Sequence, residues 1–410
     1  MTPPTAPPPP RSPWQLLYGG AHRLRRRWYR DRAGRLPRPV VSVGNLHWGG
    51  GGKTPLVAAL ACHLRDRGLQ VCVLSRGYRR GRQGGGGGSR VVSTGRGPLL
   101  GPEEAGDEAV LLAAELPGVA VVVGADRRRA GLLALERLAP PPAVFVLDDG
   151  FSHLALARDV DLLAFPAGDP FGGGRLLPGG RLREPLAAAA RASAVVLTGA
   201  PDGEAERAGF ALESRPGYGA GPRAGVAAAT APGVRAEPGS DSPGWGPRTG
   251  APASSPAAGP GSGAELAAAL RSYGFRGPGF SSVTRMGTPV ASGGEPLAPG
   301  TPVLAVAAIA RPEGFFASLR GLHFPVMAEL ALPDHHPYPA ATLARIEAVA
   351  RRSGAACVLV TAKDRVKLEG RLRLPLAVLP VEAVPEPSFW SWLDAALELG
   401  PPPGAGASGQ

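Results

Sequence analysis

The sequence predicts an α/β fold, a mostly parallel β-sheet with helices on both faces, followed by a second, smaller α/β lobe. Three observations carry this expectation. Short runs rich in Val, Leu and Ala alternate with helical stretches along most of the chain. One run leads straight into a glycine-rich loop and then a helix. No stretch of 18 apolar residues occurs, so the apolar runs belong to a packed core and not to membrane spans. With 410 residues there is room for two or three domains, and the 44% hydrophobic content supplies a core although Gly (60) and Pro (47) are abundant.

Residues 1–11 read as a Pro-rich disordered tail, lacking the charged and apolar regions of a secretory leader. Ser12, Pro13 and Gln15 then form a helix start of the capping-box kind. Trp14, Leu17, Tyr18, Ala21, Leu24 and Trp28 recur at helical spacing, with Arg23, Arg25, Arg26, Arg27 and Arg30 largely around the other faces. Segment 12–32 is therefore a basic amphipathic helix, either lying in a membrane interface or packed on the body with its Arg face in solvent. Strands are expected at 39–44, 71–75, 119–123, 143–147, 160–165 and 193–198, with helices at 55–67 and 126–138 ended by Gly68 and Pro140. The glycine run 84–88 reads as a loop, and 201–263 as a disordered Gly/Pro-rich insertion or linker. Further strand-like runs at 303–309, 326–332, 356–361 and 376–381 make 264–399 the second lobe, before a polar tail at 400–410.

The net charge of +12 has an unusual makeup, because Lys occurs only at positions 53, 363 and 367 among 45 basic residues. An ammonium is a compact point charge and a guanidinium a planar fork, so each Lys in an Arg-written chain asks why Arg would not serve. The arginines are spread along the chain and aromatics are only 6%, which does not describe a nucleic-acid groove with stacking platforms. Cys62, Cys72 and Cys357 form no C-x-x-C and lie in apolar runs, as buried thiols of a reducing compartment do.

The first strand enters Gly44-Asn45-Leu46-His47-Trp48-Gly49-Gly50-Gly51-Gly52-Lys53-Thr54-Pro55. Glycines let backbone N–H groups turn toward phosphate oxygens, a Lys reaches the outer phosphates, and a Thr hydroxyl can bind Mg²⁺. The strict pattern would place Gly at 47, where this chain has His47, so this is a variant P-loop. His47, Trp48, Gly49, Gly50, Gly51, Gly52, Lys53 and Thr54 form the expected nucleotide site. Asp148-Asp149-Gly150 closes the strand at 143–147, as a Mg²⁺ partner of the P-loop or as a simple turn. Asp107 and Glu108 open a helix, where Asp107 is either an N-cap or, with Glu108, a base and metal ligand. Asp334-His335-His336-Pro337 offers a His beside an Asp that can orient or relay protons, or a surface loop pair. No nearby Cys or H-x-x-x-H completes a zinc set.

The strings SVGNLHWGGGGKTP, LSRGYRR, GDEA, VGADR, LDDGFSH, RLLPGGRLREP, IARPEGFF, PDHHPY and VTAKDRVKL occur together and in order. In these blocks the chain resembles the tetraacyldisaccharide 4'-kinase family over about 14–200 and 300–370. The resemblance implies transfer of the ATP γ-phosphate to the 4'-hydroxyl of a tetraacylated glucosamine disaccharide 1-phosphate in lipid A biosynthesis. It makes 33–200 the P-loop kinase domain, and places the protein peripherally on the cytoplasmic face of the bacterial inner membrane through helix 12–32. By motif, Asp107 is implied as the base and His335 as its partner. Thr54, Glu108, Asp149 and Glu184 are implied as Mg²⁺ ligands or water-positioning groups, and Tyr78, Arg127 and His153 as residues toward the acceptor sugar and its phosphate. No obligate protein partner is expected. The chain departs from the family pattern with Gly51 for a common Thr, Ser152 for Gln and Ala362 for Glu. A guanine-binding switch would carry N-K-x-D, and in Thr361-Ala362-Lys363-Asp364 the Lys comes one position late.

Overall fold

The computed structural model of the chain describes residues 20, 24, 27–29, 32–49, 52–77, 88–200 and 260–400. In chain order the first part holds β1 (Val40–Gly44), α1 (Lys53–Asp66), β2 (Val71–Ser75), β3 (Arg90–Thr94), α2 (Asp107–Glu115), β4 (Ala120–Val123), α3 (Arg127–Arg137), β5 (Val144–Asp148), β6 (Val160–Pro166), β7 (Ala194–Ala200), α4 (Gly263–Leu270) and β8 (Gly279–Met286). The second part holds β9 (Val290–Ala291), β10 (Val303–Ala307), α5 (Pro312–Gly321), β11 (Val326–Ala331), α6 (Ala340–Ser353), β12 (Cys357–Thr361), α7 (Ala362–Leu368) and β13 (Leu376–Leu379). The chain then returns through β14 (Val381–Pro385) and α8 (Pro387–Ala396).

Nine strands form one sheet in the order β14-β8-β7-β6-β1-β5-β2-β4-β3, and five form another in the order β11-β10-β12-β13-β9. Every pairing from β8 through β4 is parallel, and the antiparallel β14 and β3 close the two edges. Valines and leucines of β1, β2, β4 and β5 are buried on both faces, which is why these strands read as continuous apolar runs and not as alternating ones. On one face they pack under α1, α2 and α8, and on the other under Leu36 and the Ala130 and Ala134 side of α3. The second sheet is likewise covered twice, by Ile346 and Ala350 of α6 and by Phe315, Phe316 and Leu319 of α5. Caps follow the sequence logic: Asp126, Ser262 and Thr361 side chains accept from backbone N–H groups in the first turns of α3, α4 and α7.

The second lobe has narrower limits than 264–399. Helix α4 and strand β8 complete a crossover onto β7, and β14 and α8 also join the larger sheet, so the five-stranded unit runs only from β9 to β13. The tract 201–263 thus interrupts the β7–α4–β8 crossover and does not separate the two sheets. Its last residues, 260–263, are part of the fold: Pro260 is buried, Ser262 caps α4, and a Cβ on Gly263 would come 2.0 Å from the carbonyl carbon of Phe280. Strands β3, β8 and β14 escape a search for apolar runs because each mixes polar with half-buried positions near the sheet margins. The tails 1–11 and 401–410, the glycine run apart from Gly88, and the tract 201–259 lie outside the described residues.

Of segment 12–32, positions 20, 24 and 27–29 are described as helical, and Leu24 and Trp28 are 72% and 60% exposed. Those two positions of the apolar stripe do not pack on the body, contrary to one of the two expectations. Among the described residues no helix is long and apolar enough to cross a membrane.

Phe389 of α8 is fully buried, 5.4 Å edge-on from Phe280 of β8. Phe389→Ala therefore costs the larger sheet about 3–5 kcal/mol in chemical denaturation; a change under about 1 kcal/mol would contradict this placement of the C-terminal helix.

Candidate active site

The carboxyl ends of β1, β5 and β2 lie side by side, with Val43 opposite Asp148 and Leu74 opposite Leu147. In open parallel sheets this edge is where ligands bind. From β1 the loop runs to Gly52, which takes the left-handed conformation (φ 69°) as the residue before α1, and a Cβ there would come 2.9 Å from Thr198. Lys53 is the first residue of α1, with Thr54 next, so both stand at a helix N-terminus whose N–H groups suit phosphate. The Lys53 Nζ rests between Asn45 Oδ1 and Asp149 Oδ1, 2.9 Å from each. Gly50 and Gly51 lie outside the described residues, and Gly49 takes a positive φ of 94°.

His47 precedes Trp48 in the same loop. Its side chain is buried, edge-on to Phe165 at 5.9 Å, and burial pushes its pKa down to about 4, so the ring is a neutral core group. Any part it takes in a phosphate cradle belongs to its backbone. Trp48 beside it is 61% exposed.

Asp148 is buried, and its carboxyl is pushed up to about 7 by burial first and then by the nearby carboxylates of Glu108 and Asp149. Asp149 follows in a left-handed conformation (φ 51°). Burial acts to raise its pKa, but Lys53 and the Arg183 fork, 2.9 and 3.2 Å from its two oxygens, outweigh that and hold it well below the usual range. The crowded carboxyl groups of Asp148, Asp149 and Glu108 are hard oxygen donors of the kind that suit Mg²⁺. Among the described residues no three His, Cys, Asp or Glu side chains converge as an ion-binding cluster, so phosphate oxygens and water would complete the shell. Glu184 fits that role less well than the sequence implied. Its buried carboxylate already accepts from Ser152 Oγ at 2.6 Å and Arg191 Nη2 at 2.9 Å.

Asp107 is the first residue of α2, and Gly106 occupies the cap with no side-chain bond, so the Asp107 carboxylate is not an N-cap. It accepts instead at Oδ2 from two groups carried by the other sheet: His335 Nδ1 at 3.0 Å and Lys367 Nζ at 2.7 Å. Burial acts against the charge, yet the His335 and Lys367 hydrogen bonds outweigh it and hold the Asp107 pKa below its ordinary value. His335 has φ 60° and donates its backbone N–H to Ala308 after β10. A narrow cleft here is lined by Ser75, Gly77, Gly106, Asp107, Glu108, Ala109 and His335.

Arg127 opens α3, buried, with Nη1 donating to the Gly124 and Ala125 carbonyls at 3.3 Å. His153 follows the Asp148–Gly150 turn, its backbone N–H donating to Gly150 O at 2.8 Å. Tyr78 lies outside the described residues. Sequence reasoning assigned no site role to Asn45, Arg183, Lys363 or Lys367, although the rarity of Lys had marked the last two.

A family model for tetraacyldisaccharide-1-P 4'-kinase matches residues 11–398. A tetraacyldisaccharide 4'-kinase from Pelobacter propionicus is 39% identical over 364 residues, 88% of this chain and 83% of the relative. One from Geobacter sulfurreducens is 37% identical over 386 residues, 93% of this chain and 90% of the relative. Among solved structures, LpxK from Aquifex aeolicus in complex with ATP matches with a TM-score of 0.64 at 29% identity, over 94% of this chain and 98% of that one.

Because the native state holds the Asp148 proton to about 7 while the unfolded chain releases it near 3.8, native stability falls as pH rises between those values. Asp148→Asn removes that loss, so its melting temperature rises relative to the parent protein from pH 4 to pH 8, and Mg²⁺ with nucleotide narrows the gap. A gap constant across pH in thermal melts would contradict the buried, crowded carboxyl.

Proposed function

The chain belongs to the tetraacyldisaccharide-1-P 4'-kinase family, and from that premise we propose how its own residues carry the reaction. It is an ATP-dependent tetraacyldisaccharide 4'-kinase of lipid A biosynthesis. The observation that carries the residue assignment is the junction where Asp107 meets His335 at 3.0 Å, beside carboxylates that also feel Lys53.

In this reading the N–H groups of Gly52, Lys53 and the first turn of α1 cradle the ATP phosphates. The Lys53 ammonium exchanges its hold on Asn45 and Asp149 for the outer phosphates, which releases an oxygen of Asp149. Mg²⁺, held by Thr54, Glu108 and the Asp148–Asp149 pair, would neutralise charge on the transferring phosphoryl group. The acceptor 4'-hydroxyl attacks the γ-phosphorus and gives its proton to Asp107, while the bond to the β-phosphate oxygen breaks and ADP leaves with the electron pair. Asp107 is kept ionised by its partners, so it is ready to take a proton at neutral pH but is a weak base. Its contribution is therefore placement more than basicity. Glu184, held by Ser152 and Arg191, follows directly in the chain on Arg183, which grips Asp149. Arg127, His153 and Tyr78 are assigned to the acceptor sugar and its phosphate.

The acceptor is a lipid, and the segment bearing exposed Leu24 and Trp28 among arginines suits an anionic membrane surface. Peripheral attachment to the cytoplasmic face of the inner membrane brings ATP and the lipid to one cleft.

Mass spectrometry of the purified protein's reaction with ATP, Mg²⁺ and the disaccharide 1-phosphate is expected to give a 4'-phosphorylated product. Asp107→Ala is expected to lose about 100-fold or more in kcat while ATP binding stays intact. No product under conditions where the Geobacter sulfurreducens relative turns over would overturn the reading. Replacing Leu24 and Trp28 together by Glu should lower co-sedimentation with phosphatidylglycerol vesicles about tenfold or more, and unchanged binding would remove the helix from the membrane.

A further inference from the structure

Two lysines left without a role hold the two ends of the Asp107–His335 pair. Lys363 and Lys367 are four residues apart on α7, so their side chains leave the same face one turn apart. Lys363 Nζ lies 3.0 Å from His335 Nε2, and Lys367 Nζ lies 2.7 Å from Asp107 Oδ2. The row is continuous: Lys363 Nζ, His335 Nε2, His335 Nδ1, Asp107 Oδ2, Lys367 Nζ. An ammonium has donors and no acceptor. His335 Nε2 must therefore accept, which makes it the nitrogen without hydrogen, and Nδ1 carries the hydrogen donated to Asp107. A doubly protonated ring would turn an N–H against the Lys363 ammonium.

Helix α7 is fixed where this row needs it. Asp364, fully buried, accepts from the Ala308 N–H at 3.0 Å, and the Ala308 carbonyl accepts from the His335 N–H at 3.2 Å, so one residue aligns helix and histidine. Lys367, nearly buried, also donates to His336 O at 3.2 Å and stands 5.9 Å from the Tyr338 ring centre. Lys363 keeps Asp334 Oδ1 at 3.4 Å and Glu108 Oε1 at 4.0 Å as counter-charges. Sites this narrow suit a point charge on a long stem better than a planar fork. That accounts for two of the three lysines in a chain with 45 basic residues, the third being the phosphate-loop Lys53.

We propose that Lys363 and Lys367 are positioning residues: Lys363 locks His335 as the Nδ1–H tautomer, and Lys367 with His335 occupies Asp107 Oδ2, so that Oδ1 is the oxygen that receives the acceptor hydroxyl's proton. This rests on Asp107 being the base in the reading above. The tautomer, however, is measurable without turnover, so failure of one is distinguishable from failure of the other.

The test is a long-range ¹H–¹⁵N spectrum of the full-length protein labelled on histidine nitrogens, with His335 assigned by its loss in His335→Gln. The parent protein is expected to show His335 protonated on Nδ1 and bare on Nε2. Lys363→Met should let Nε2 take a second proton, no longer opposed by an ammonium, while Asp107 keeps the one on Nδ1, and lower kcat about ten- to a hundred-fold with KM for ATP little changed. Lys363→Arg, which retains a donor, should restore the Nδ1–H form and part of the rate. An Nε2–H form in the parent protein overturns the proposal, and so does a Lys363→Met protein that keeps either a bare Nε2 or the parent kcat. Should Lys363→Met fail to fold, the parent spectrum alone still decides the tautomer.

Discussion

Asp107 is carried by a helix of the larger sheet and His335 by a loop of the smaller one, 228 residues later in the chain, and their hydrogen bond joins the two units at the point where chemistry is assigned. Lys367 adds a second tie to the same carboxylate oxygen. Removing one partner from a nearly buried charged pair of this kind leaves an unpaired charge and costs about 3–5 kcal/mol, so the ties are strong enough to set how the two sheets meet. The Lys53 corner of the cleft, with Asn45, Asp149 and Arg183, is built by the larger sheet. The Asp107 carboxylate gains its partners only from the smaller sheet, which delivers His335 and Lys367.

Charge ordering around that junction explains why so many ionisable groups are tolerated together. Asp149 lies among Lys53 and Arg183 and stays ionised, whereas Asp148, behind it and crowded by Glu108 and Asp149, holds its proton up to about 7. Neighbouring carboxyl groups with opposite environments thus keep one charge paired and one group protonated until a cation draws the proton off. A cleft so arranged is under electrostatic tension without nucleotide, and phosphate with a divalent ion relieves it from both sides.

Much of this could be read from the chain, and the rest could not, for definite reasons. Strands β1 and β5 are short apolar runs ending in Gly44 and Asp148, so both the central sheet and the P-loop partner were visible in local pattern. Strands β8 and β14 were not, since Ser281, Thr284, Arg285 and Glu382 break the apolar pattern and their places depend on pairing, β8 on β7 and β14 on β8. The burial of the His47 ring was not legible, because its motif position says loop while Phe165 from a distant strand makes the ring a core group. For Glu184, nothing local reveals that Arg191 and Ser152 already hold its carboxylate. Lys363 and Lys367 were conspicuous by rarity alone; what they touch required the fold.

The central claim is that Asp107 and His335 act as one unit across the two sheets. A double-mutant cycle on the single-turnover rate of phosphoryl transfer, with Asp107→Asn, His335→Ala and the pair together, tests it most directly. If the account is right, the double variant is no slower than the slower single variant, because either change disables the same proton-accepting unit. If the two losses multiply in full, the residues work independently and the 3.0 Å contact is not the organising feature of the site.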